Sequence, residues 1–298
     1  MFKFGFQQED EDLNDFGEND VNDYDNDENS DSECMPCNDF EEIQPKPTQI
    51  HRSIISNVIY GSMTFGAEIE VRHVRMNAEE EQLLGITGDH SDLIPGVYEG
   101  SVSGGKIWEC TQDLGDYFMR STNAEDSLYK LSAGKHVLDL GCGAGLLGIL
   151  ALKAGAFVHF SDYNSSILST LTIENVLLNF RDTKSETLQR CKFYAGDWSK
   201  YVEATKDDTK YDLILTSETI YNADNYGKIL NVLKTKLKDD GMALVAAKTY
   251  YFGVGGGCRD FERLVKDDGT LQSEVVLVVS ENVPREILKV KLANKSSL

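Results

Sequence analysis

Basic side chains are scarce in this sequence. Its 298 residues hold 29 Lys and Arg against 50 Asp and Glu, which gives a formal net charge of −21. Because a negative surface repels phosphate backbones, we expect no direct binding to nucleic acid. The same charge raises the rate of encounter with a basic protein, so the charge favours a basic protein partner.

Long apolar runs and regularly spaced cysteines are also lacking. The longest apolar run, Leu146–Leu152, contains Gly148 and is much shorter than the roughly 20 residues that cross a bilayer. The first residues lead directly into acidic sequence without the apolar segment of a secretion signal. Six cysteines with irregular spacing indicate free thiols rather than a disulfide framework. We therefore expect a cytoplasmic, nuclear or nucleolar protein without a membrane anchor.

Acidic residues are concentrated at the N-terminus. Residues 1–50 hold 16 acidic and 2 basic side chains, whereas residues 51–298 hold 34 and 27. The first segment has too few large apolar residues to offset the entropy lost on ordering, which predicts a disordered acidic tail over 1–50. Residues 51–298 are numerous enough for one folded domain, with an N-terminal lobe over 51–100 and a core over 101–298.

Within this domain, short β-rich runs alternate with helical stretches. Strands are predicted at Ile54–Tyr60, Ile69–Met76, Val137–Leu140, Phe157–Phe160, Lys192–Ala195, Tyr211–Thr216, Met242–Lys248, Glu274–Val279 and Glu286–Leu292. Helices are predicted at Leu114–Arg120, Ala124–Leu131, Leu146–Ala154, Ser165–Leu178, Tyr226–Lys238 and Arg259–Lys266. Such alternation is typical of a Rossmann-like α/β fold, a mostly parallel sheet with helices on both faces.

The most informative motif is the glycine loop Asp139-Leu-Gly141-Cys142-Gly143-Ala-Gly145, which follows a predicted strand and opens a helix. Glycines let a ligand approach the backbone, and the helix N-terminus offers free N–H groups. The dinucleotide pattern Gly-x-Gly-x-x-Gly fits when it starts at Gly143, so a dehydrogenase stays open. That pattern leaves Gly141 unexplained, and the acid at 139 would crowd a pyrophosphate. Asp139 better suits a cationic cofactor, and S-adenosylmethionine carries both an ammonium and a sulfonium.

Two later acids fit the same cofactor. Asp162 comes just after the next predicted strand, where an acid commonly accepts hydrogen bonds from ribose hydroxyls. Its alternative role is to cap the following helix. Asp197 follows a third strand and can accept from the exocyclic amine of adenine, with Trp198 as a flat face beside the base. The alternative there is a polar turn with a core tryptophan.

Several segments together resemble one family, the histidine protein methyltransferases, within the set of seven-stranded class I protein methyltransferases. The most specific are Trp-Glu-Cys-Thr at 108–111, Ser-Glu-Thr-Ile-Tyr at 217–221 and Tyr-Phe-Gly-Val-Gly-Gly-Gly at 251–257, and the resemblance runs from about residue 95 to 292. It implies S-adenosylmethionine as cofactor and a histidine of large-subunit ribosomal protein three as acceptor. The cofactor contacts that it implies are Ile107, Trp108, Glu109, Cys110, Thr111, Gly134, Gly141, Cys142, Gly143, Asp197, Trp198, Ser199 and Ser217.

The acceptor side of the site is predicted at Glu218 and Tyr221. The wider set carries Asp-x-x-Tyr after the fourth strand, and the longer acid at 218 agrees with the histidine subgroup. A carboxylate that accepts the N–H of a neutral imidazole would orient the ring, and Tyr221 would pack against it. Tyr251, Phe252 and Gly253 begin a glycine-rich loop that we expect over the substrate. The structural alternatives are a capped turn at 218, a core tyrosine at 221 and a solvent loop.

Two other functions stay open. A lysine methyltransferase of the same set would share the cofactor site. A non-catalytic ribosome-assembly chaperone would use the acidic tail to shield a basic ribosomal protein. The five histidines and six cysteines lack the spacing of metal ligands, so no metal site is predicted. We expect the protein to act as a monomer on a large-subunit ribosomal protein.

Overall fold

The computed structural model describes residues 40–46, 60–66, 68–75, 97–98, 101–102, 107–120, 128–207, 209–253 and 255–293. The chain divides into two units, Met1–Pro36 and Cys37–Leu298, and all described residues belong to the second. Residues 1–39 and 47–50 of the predicted tail, most of the predicted strand Ile54–Tyr60 and the start of the predicted helix Ala124–Leu131 lie outside the described residues.

The described elements follow the predicted alternation. The strands are β1 (Glu41–Glu42), β2 (Tyr60–Phe65), β3 (Ile69–Val74), β4 (Val97–Tyr98), β5 (Ser101–Val102), β6 (His136–Leu140), β7 (Phe157–Asp162), β8 (Cys191–Ala195), β9 (Tyr211–Ser217), β10 (Leu237–Lys248), β11 (Leu271–Val279) and β12 (Arg285–Leu292). The helices are α1 (Glu109–Met119), α2 (Leu128–Leu131), α3 (Leu146–Lys153), α4 (Ser165–Ile167), α5 (Ile173–Asn179), α6 (Lys184–Leu188), α7 (Trp198–Ala204), α8 (Tyr226–Lys236) and α9 (Cys258–Asp268). A π-helical turn, Leu168–Thr172, joins α4 to α5. None of these helices is long and apolar enough to cross a membrane.

The main sheet has eight strands in the order β1-β8-β7-β6-β9-β10-β12-β11. The pairs from β8 to β10 are parallel, whereas β1 and the β12–β11 pair run antiparallel to their neighbours. Without the two-residue β1 this is a seven-stranded sheet, so the predicted Rossmann-like class is confirmed. The strand order reverses between β6 and β9, and open α/β sheets bind their ligands at such a switch point.

Alternate residues of the central strands enter two different cores. Leu213 and Leu215 of β9 belong to the core that contains α1, α3 and α5, whereas Ile214 belongs to the core that contains α7, α8 and α9. Successive strand side chains point to opposite faces, so this division shows helices packed on both faces of the sheet. The sheet is therefore sandwiched, and its carboxyl edge is where loops can form a site.

Helix α1 starts at Glu109, five residues before the predicted start at Leu114. Cys110, Leu114 and Phe118 are all buried and are spaced by four residues, which makes one apolar stripe of a helix. Part of the Trp-Glu-Cys-Thr segment is therefore the first turn of α1. The strands predicted between 137 and 292 are all present, with ends that move by up to five residues.

The predicted disorder over 1–50 is wrong for residues 40–46. Glu41 and Glu42 pair with Ala195 and Tyr194 as the antiparallel strand β1, and the Phe40 ring stacks on Tyr194 with centroids 5.6 Å apart. The acidic composition did not predict this strand because only two apolar side chains of the segment pack on the core. The pairing covers the free edge of β8.

The β2–β3 hairpin packs directly on the core, with β2 later in the chain than its predicted counterpart. A Cβ on Gly115 of α1 would lie 2.2 Å from the Phe65 ring, so only glycine permits this approach. Asn179 accepts from the Arg72 N–H at 2.9 Å, and Asn175 accepts from the Val74 N–H at 2.7 Å. The hairpin is thus joined to helix α5 by side-chain hydrogen bonds.

Candidate active site

Three segments converge at the carboxyl edge of the sheet. The glycine loop Gly141–Gly145 follows β6, Glu218 follows β9, and Thr249 follows β10. Strands β6 and β9 are neighbours across the switch point, and β10 pairs in parallel with β9. The fold therefore brings the predicted cofactor loop beside the predicted acceptor residues.

The glycine loop has the backbone that its sequence suggests. Gly141, Gly143 and Gly145 have φ values of +67°, +49° and +74°. This left-handed region is costly for other residues. A Cβ on Gly141 would lie 2.4 Å from Thr219 Cγ2 and 3.4 Å from Trp198 Cζ2. The Gly141 backbone therefore packs tightly against Thr219 and lies near the Trp198 ring, and a larger side chain at 141 would clash with Thr219.

Three buried side chains hold this loop. Asp162 Oδ2 accepts from the Gly143 N–H at 2.9 Å, and the Thr172 hydroxyl donates to the Gly143 carbonyl at 2.6 Å. Asn175 Nδ2 donates to the Ala144 carbonyl at 2.8 Å. Thr172 ends the π-helical turn, and such turns are common at functional sites. Sequence reasoning missed Thr172 and Asn175; their one signal is that they are polar within an otherwise apolar helix face.

Asp139 is buried at the end of β6, with 2% of its surface exposed. Its Oδ2 accepts from the Gly148 N–H at 2.8 Å, at the start of α3. Burial raises the pKa of Asp139 to about 8, and the Gly148 hydrogen bond only partly opposes this. A nearby cation would restore the ionised form, which suits the cationic cofactor predicted from the sequence.

The raised pKa of Asp139 predicts how stability changes with pH. Between its usual 3.8 and about 8 the folded protein binds this proton more tightly than the unfolded chain, so stability decreases as pH rises through that range. The largest slope from one such group is about 1.4 kcal/mol per pH unit. We expect Asp139→Asn to flatten the free energy of unfolding between pH 6 and 8, measured by urea titration without cofactor. Identical slopes in the two proteins would refute this.

Asp162 lies at the end of β7 with both oxygens on backbone amides. Oδ2 holds the Gly143 N–H, and Oδ1 accepts from the Asn164 N–H at 3.1 Å. Burial raises the pKa of this carboxyl, and those two hydrogen bonds oppose the effect. Asp162 therefore shapes the glycine loop and the next turn, and its contact to a ribose stays a prediction.

Asp197 is the N-cap of helix α7. Its Oδ1 accepts from the Ser199 N–H at 2.8 Å and the Ser199 hydroxyl at 2.6 Å, while Oδ2 is 2.6 Å from Lys228 Nζ. Burial opposes ionisation, but these partners outweigh it and lower the pKa. The polar turn given as the alternative at Asp197 is thus present, and its contact to adenine stays a prediction. The adjoining Trp198 has a buried indole N–H without a hydrogen-bond partner among the described residues.

Glu218 has the features of a functional carboxylate. It is a non-glycine residue with φ of +58°, and it is 5% exposed. Tyr251 donates its hydroxyl to Glu218 Oε2, whereas Oε1 is buried without a partner in the described part of the chain. Burial raises the pKa of Glu218, opposed by Cys110, Tyr251 and Lys248. A strained backbone conformation and a buried oxygen without a hydrogen-bond partner are both typical of functional sites. This open oxygen can accept a hydrogen bond from a ligand.

The glycine-rich loop that starts at Tyr251 packs against the segment after Glu218. The rings of Tyr221 and Tyr251 meet edge-on with centroids 6.4 Å apart. A Cβ on Gly256 would lie 2.3 Å from the Tyr221 carbonyl oxygen. Tyr251 points inward, whereas Phe252 is 75% exposed. Gly253 has open space around it.

The Trp-Glu-Cys-Thr segment reaches the same edge. The Thr111 hydroxyl is 3.1 Å from the Ser217 hydroxyl at the end of β9. Trp108 and Cys110 are buried, whereas Glu109 is exposed. Ile107 and Cys142 are half-buried, and both pack against the core that contains α1 and α3.

The structure does not bring Gly134 to this edge. Gly134 precedes β6, so it lies at the amino edge of the sheet, where its N–H donates to the Gly155 carbonyl at 3.0 Å.

Lys248 is a residue that sequence reasoning missed. It ends β10, is 3% exposed, and its Nζ lies 5.2 Å from the centroid of the Trp108 ring.

A family model described as lysine methyltransferase matches residues 89–251. Histidine protein methyltransferase 1 of Schizosaccharomyces pombe is 30% identical over 251 residues, which cover 70% of this chain and 70% of that protein. The histidine protein methyltransferase 1 homolog of Rattus norvegicus is 42% identical over 222 residues, 67% of this chain and 59% of that protein. The chain belongs to the histidine protein methyltransferase family.

This member of the histidine protein methyltransferase family spans about three-fifths of the length of its mammalian relatives: 59% of the rat protein and 57% of the protein from Bos taurus. A SAM-dependent methyltransferase from Streptococcus mutans superposes with a TM-score of 0.52 at 13% identity, over 78% of this chain and 55% of that chain. At that identity the likeness concerns the fold alone.

Fold and family make S-adenosylmethionine the cofactor, and the residues present fit it. The Trp198 ring lies close to Gly141 and offers a flat face beside the glycine loop, which suits an adenosine group. Asp139 is a buried carboxyl that a cation would stabilise. Gly141, Gly143, Asp139, Asp162 and Trp198 are therefore the residues that would hold the cofactor.

Proposed function

We propose that this protein transfers a methyl group from S-adenosylmethionine to a histidine side chain of large-subunit ribosomal protein three, and so affects ribosome assembly or translation. The observation that carries the proposal is Glu218. A buried carboxylate with one oxygen held by Tyr251 and the other open stands at the edge where the cofactor loop lies. Such a group recognises an N–H donor, and an imidazole ring has one opposite its nucleophilic nitrogen.

In this proposal Glu218 selects the tautomer of the acceptor. A histidine near pH 7 is mostly neutral, so one ring nitrogen already has a free lone pair and no strong base is needed. Glu218 Oε1 accepts the N–H of the other nitrogen and stabilises the positive charge that the ring acquires. Tyr251 keeps the carboxylate oriented. When bound, S-adenosylmethionine supplies an electrophilic methyl group.

The net charge of the chain and the exposed aromatic side chains near the site favour a basic protein as substrate. The net charge of −21 attracts a lysine-rich partner. Tyr250 and Phe252, which are 51% and 75% exposed, flank the buried Tyr251 and offer aromatic contacts to the chain around the acceptor. We include in the proposal that the protein acts as a monomer in the cytoplasm or the nucleus.

A lysine methyltransferase is the second candidate, because the matching family model carries that description. It would use the same cofactor loop. The open Glu218 oxygen does not by itself separate the two candidates, since a carboxylate binds a lysine ammonium as well as an imidazole N–H.

The test is to incubate the purified protein with radiolabelled S-adenosylmethionine and purified large-subunit ribosomal protein three, then hydrolyse the product and separate the amino acids. We expect label on methylhistidine and a mass increase of one methyl group on one peptide. Label on methyllysine would replace the proposal with the second candidate. No label, with intact cofactor binding by calorimetry, would contradict both.

A further inference from the structure

Lys248 places a cation near the predicted acceptor residues Glu218 and Tyr251, whose surroundings are called the acceptor pocket below. The side chain is 3% exposed, at the carboxyl end of β10. Its Nζ lies 5.2 Å from the centroid of the Trp108 ring and 5.5 Å from the centroid of the Tyr251 ring. Both rings are themselves buried. The ammonium of this protein's own chain therefore occupies an aromatic box of the kind that binds ligand cations.

Lys248 also acts on Glu218. Tyr251 touches both residues, because its ring faces the Lys248 ammonium and its hydroxyl donates to Glu218 Oε2. The charged and titratable groups that influence Glu218 are Lys248, which favours its ionised form, the exposed Glu109, which opposes it, and the Cys110 thiol and Tyr251 hydroxyl. The pocket thus pairs one fixed positive charge with one negative charge.

We propose that Lys248 is a specificity-determining residue that excludes a substrate ammonium from the pocket and so selects imidazole over lysine. This rests on the proposed function. Without Lys248, the Glu218 carboxylate and the Trp108 and Tyr251 rings would together attract an ammonium. With Lys248 in place, the aromatic box is filled, and a second cation meets a like charge in a water-poor site.

A neutral imidazole avoids this exclusion. At pH 7 an ordinary lysine, with a pKa near 10.4, is neutral in only about one molecule in 2,500, whereas most histidines are neutral. The repulsion from Lys248 therefore acts on nearly every lysine that approaches but on only about a quarter of histidines. The same positive charge favours the ionised form of Glu218, which accepts the imidazole N–H, although burial still raises the pKa of this carboxyl.

The test compares Lys248→Met with Lys248→Arg, which keeps the positive charge. Each is assayed on ribosomal protein three and on the same protein with the acceptor histidine, once located by mass spectrometry, replaced by lysine. We expect wild type and Lys248→Arg to methylate only the histidine form at a substantial rate. For Lys248→Met we expect methyllysine to appear and the ratio of histidine to lysine rates to decrease at least tenfold.

The outcomes separate this inference from the function on which it rests. If the wild-type protein methylates lysine rather than histidine, the proposed function fails. If it methylates histidine and Lys248→Met keeps the wild-type ratio, or loses both activities while binding S-adenosylmethionine normally, only the role of Lys248 is overturned. Should Lys248→Met not fold, the Lys248→Arg variant still tests whether charge excludes lysine. A tenfold gain of lysine methylation in this variant, which keeps the positive charge, would contradict exclusion by charge.

Discussion

Glu218→Gln should lower kcat for methyl transfer by about 10² to 10³-fold, the range for loss of one positioned group that stabilises charge in the transition state, and leave the Kd for S-adenosylmethionine within threefold. The reason is the orientation of the new amide. Tyr251 already donates to the Oε2 position, so the amide oxygen takes that place and the NH₂ group faces the open position. There it can only donate, and it would stabilise the wrong tautomer of the acceptor.

The size of this effect depends on Glu218 having its open oxygen in a buried place. In water an amide and a carboxylate would differ little, because solvent would supply the missing partner. Steady-state methylation at saturating substrate and cofactor measures kcat, and calorimetry measures cofactor affinity. Because burial raises the pKa of Glu218, we also expect wild-type activity to decrease as pH falls through a value above the usual 4.5 of a glutamate. Glu218→Gln should lack the part of the acidic limb that comes from Glu218 and keep only the part that comes from protonation of the acceptor histidine, whose usual pKa is about 6.5.

A suitable control is Glu203→Gln at the end of α7, where the side chain is 76% exposed and remote from the glycine loop in the chain. We expect wild-type kcat for it. If Glu218→Gln also kept wild-type kcat, Glu218 would have no part in orienting the acceptor. A loss confined to cofactor affinity would instead place this carboxylate on the cofactor side.

Gly256→Ala should cost about 2 kcal/mol of unfolding free energy, typical of overpacking, and more than tenfold in kcat. The new Cβ would lie 2.3 Å from the Tyr221 carbonyl oxygen and 2.6 Å from that of Ile220. Those neighbours are backbone atoms, which cannot rotate away as a side chain can. The glycine-rich loop must therefore lift from the segment after Glu218 and take Tyr251 with it.

Gly227→Ala is the matched control for this substitution. Gly227 lies in helix α8, and a Cβ there would meet nothing within 4 Å. Alanine is favoured over glycine in a helix by roughly 0.5–1 kcal/mol, so we expect equal or slightly higher stability and unchanged kcat. Urea unfolding and the methylation assay measure both. Wild-type stability in Gly256→Ala would show that the loop does not rest on the Ile220–Tyr221 backbone.

Local sequence was sufficient for the glycine loop and for the fold class. Glycines at 141, 143 and 145 after a β-rich run predict a turn with positive φ at the start of a helix, and the structure has that turn. The conformation of this turn depends on residues that are adjacent in the chain. It can therefore be predicted without knowing which distant segments pack near it. The same holds for the alternation of strands and helices, since the strand period and the helix period are properties of adjacent residues.

Contacts between distant segments were not predictable in this way. Thr172 and Asn175 hold a loop about thirty residues earlier in the chain. Lys248 meets Trp108 across 140 positions. The composition of residues 40–46 is that of an acidic tail, and only their pairing with β8 shows that they contain a strand. In each case the residue type is common on protein surfaces. Its function in this protein depends on a contact with a segment that is distant in sequence and that the sheet brings close.

The sequence by itself determined a Rossmann-like α/β chain with a backbone cradle for a cofactor and an acid placed after the fourth central strand. Tertiary structure decided what that acid can do, because burial, the Tyr251 hydroxyl and the Lys248 ammonium set its charge and leave one of its oxygens open. The physical reason is range: backbone conformation depends on neighbours in sequence, whereas desolvation and charge depend on every group that folding brings close.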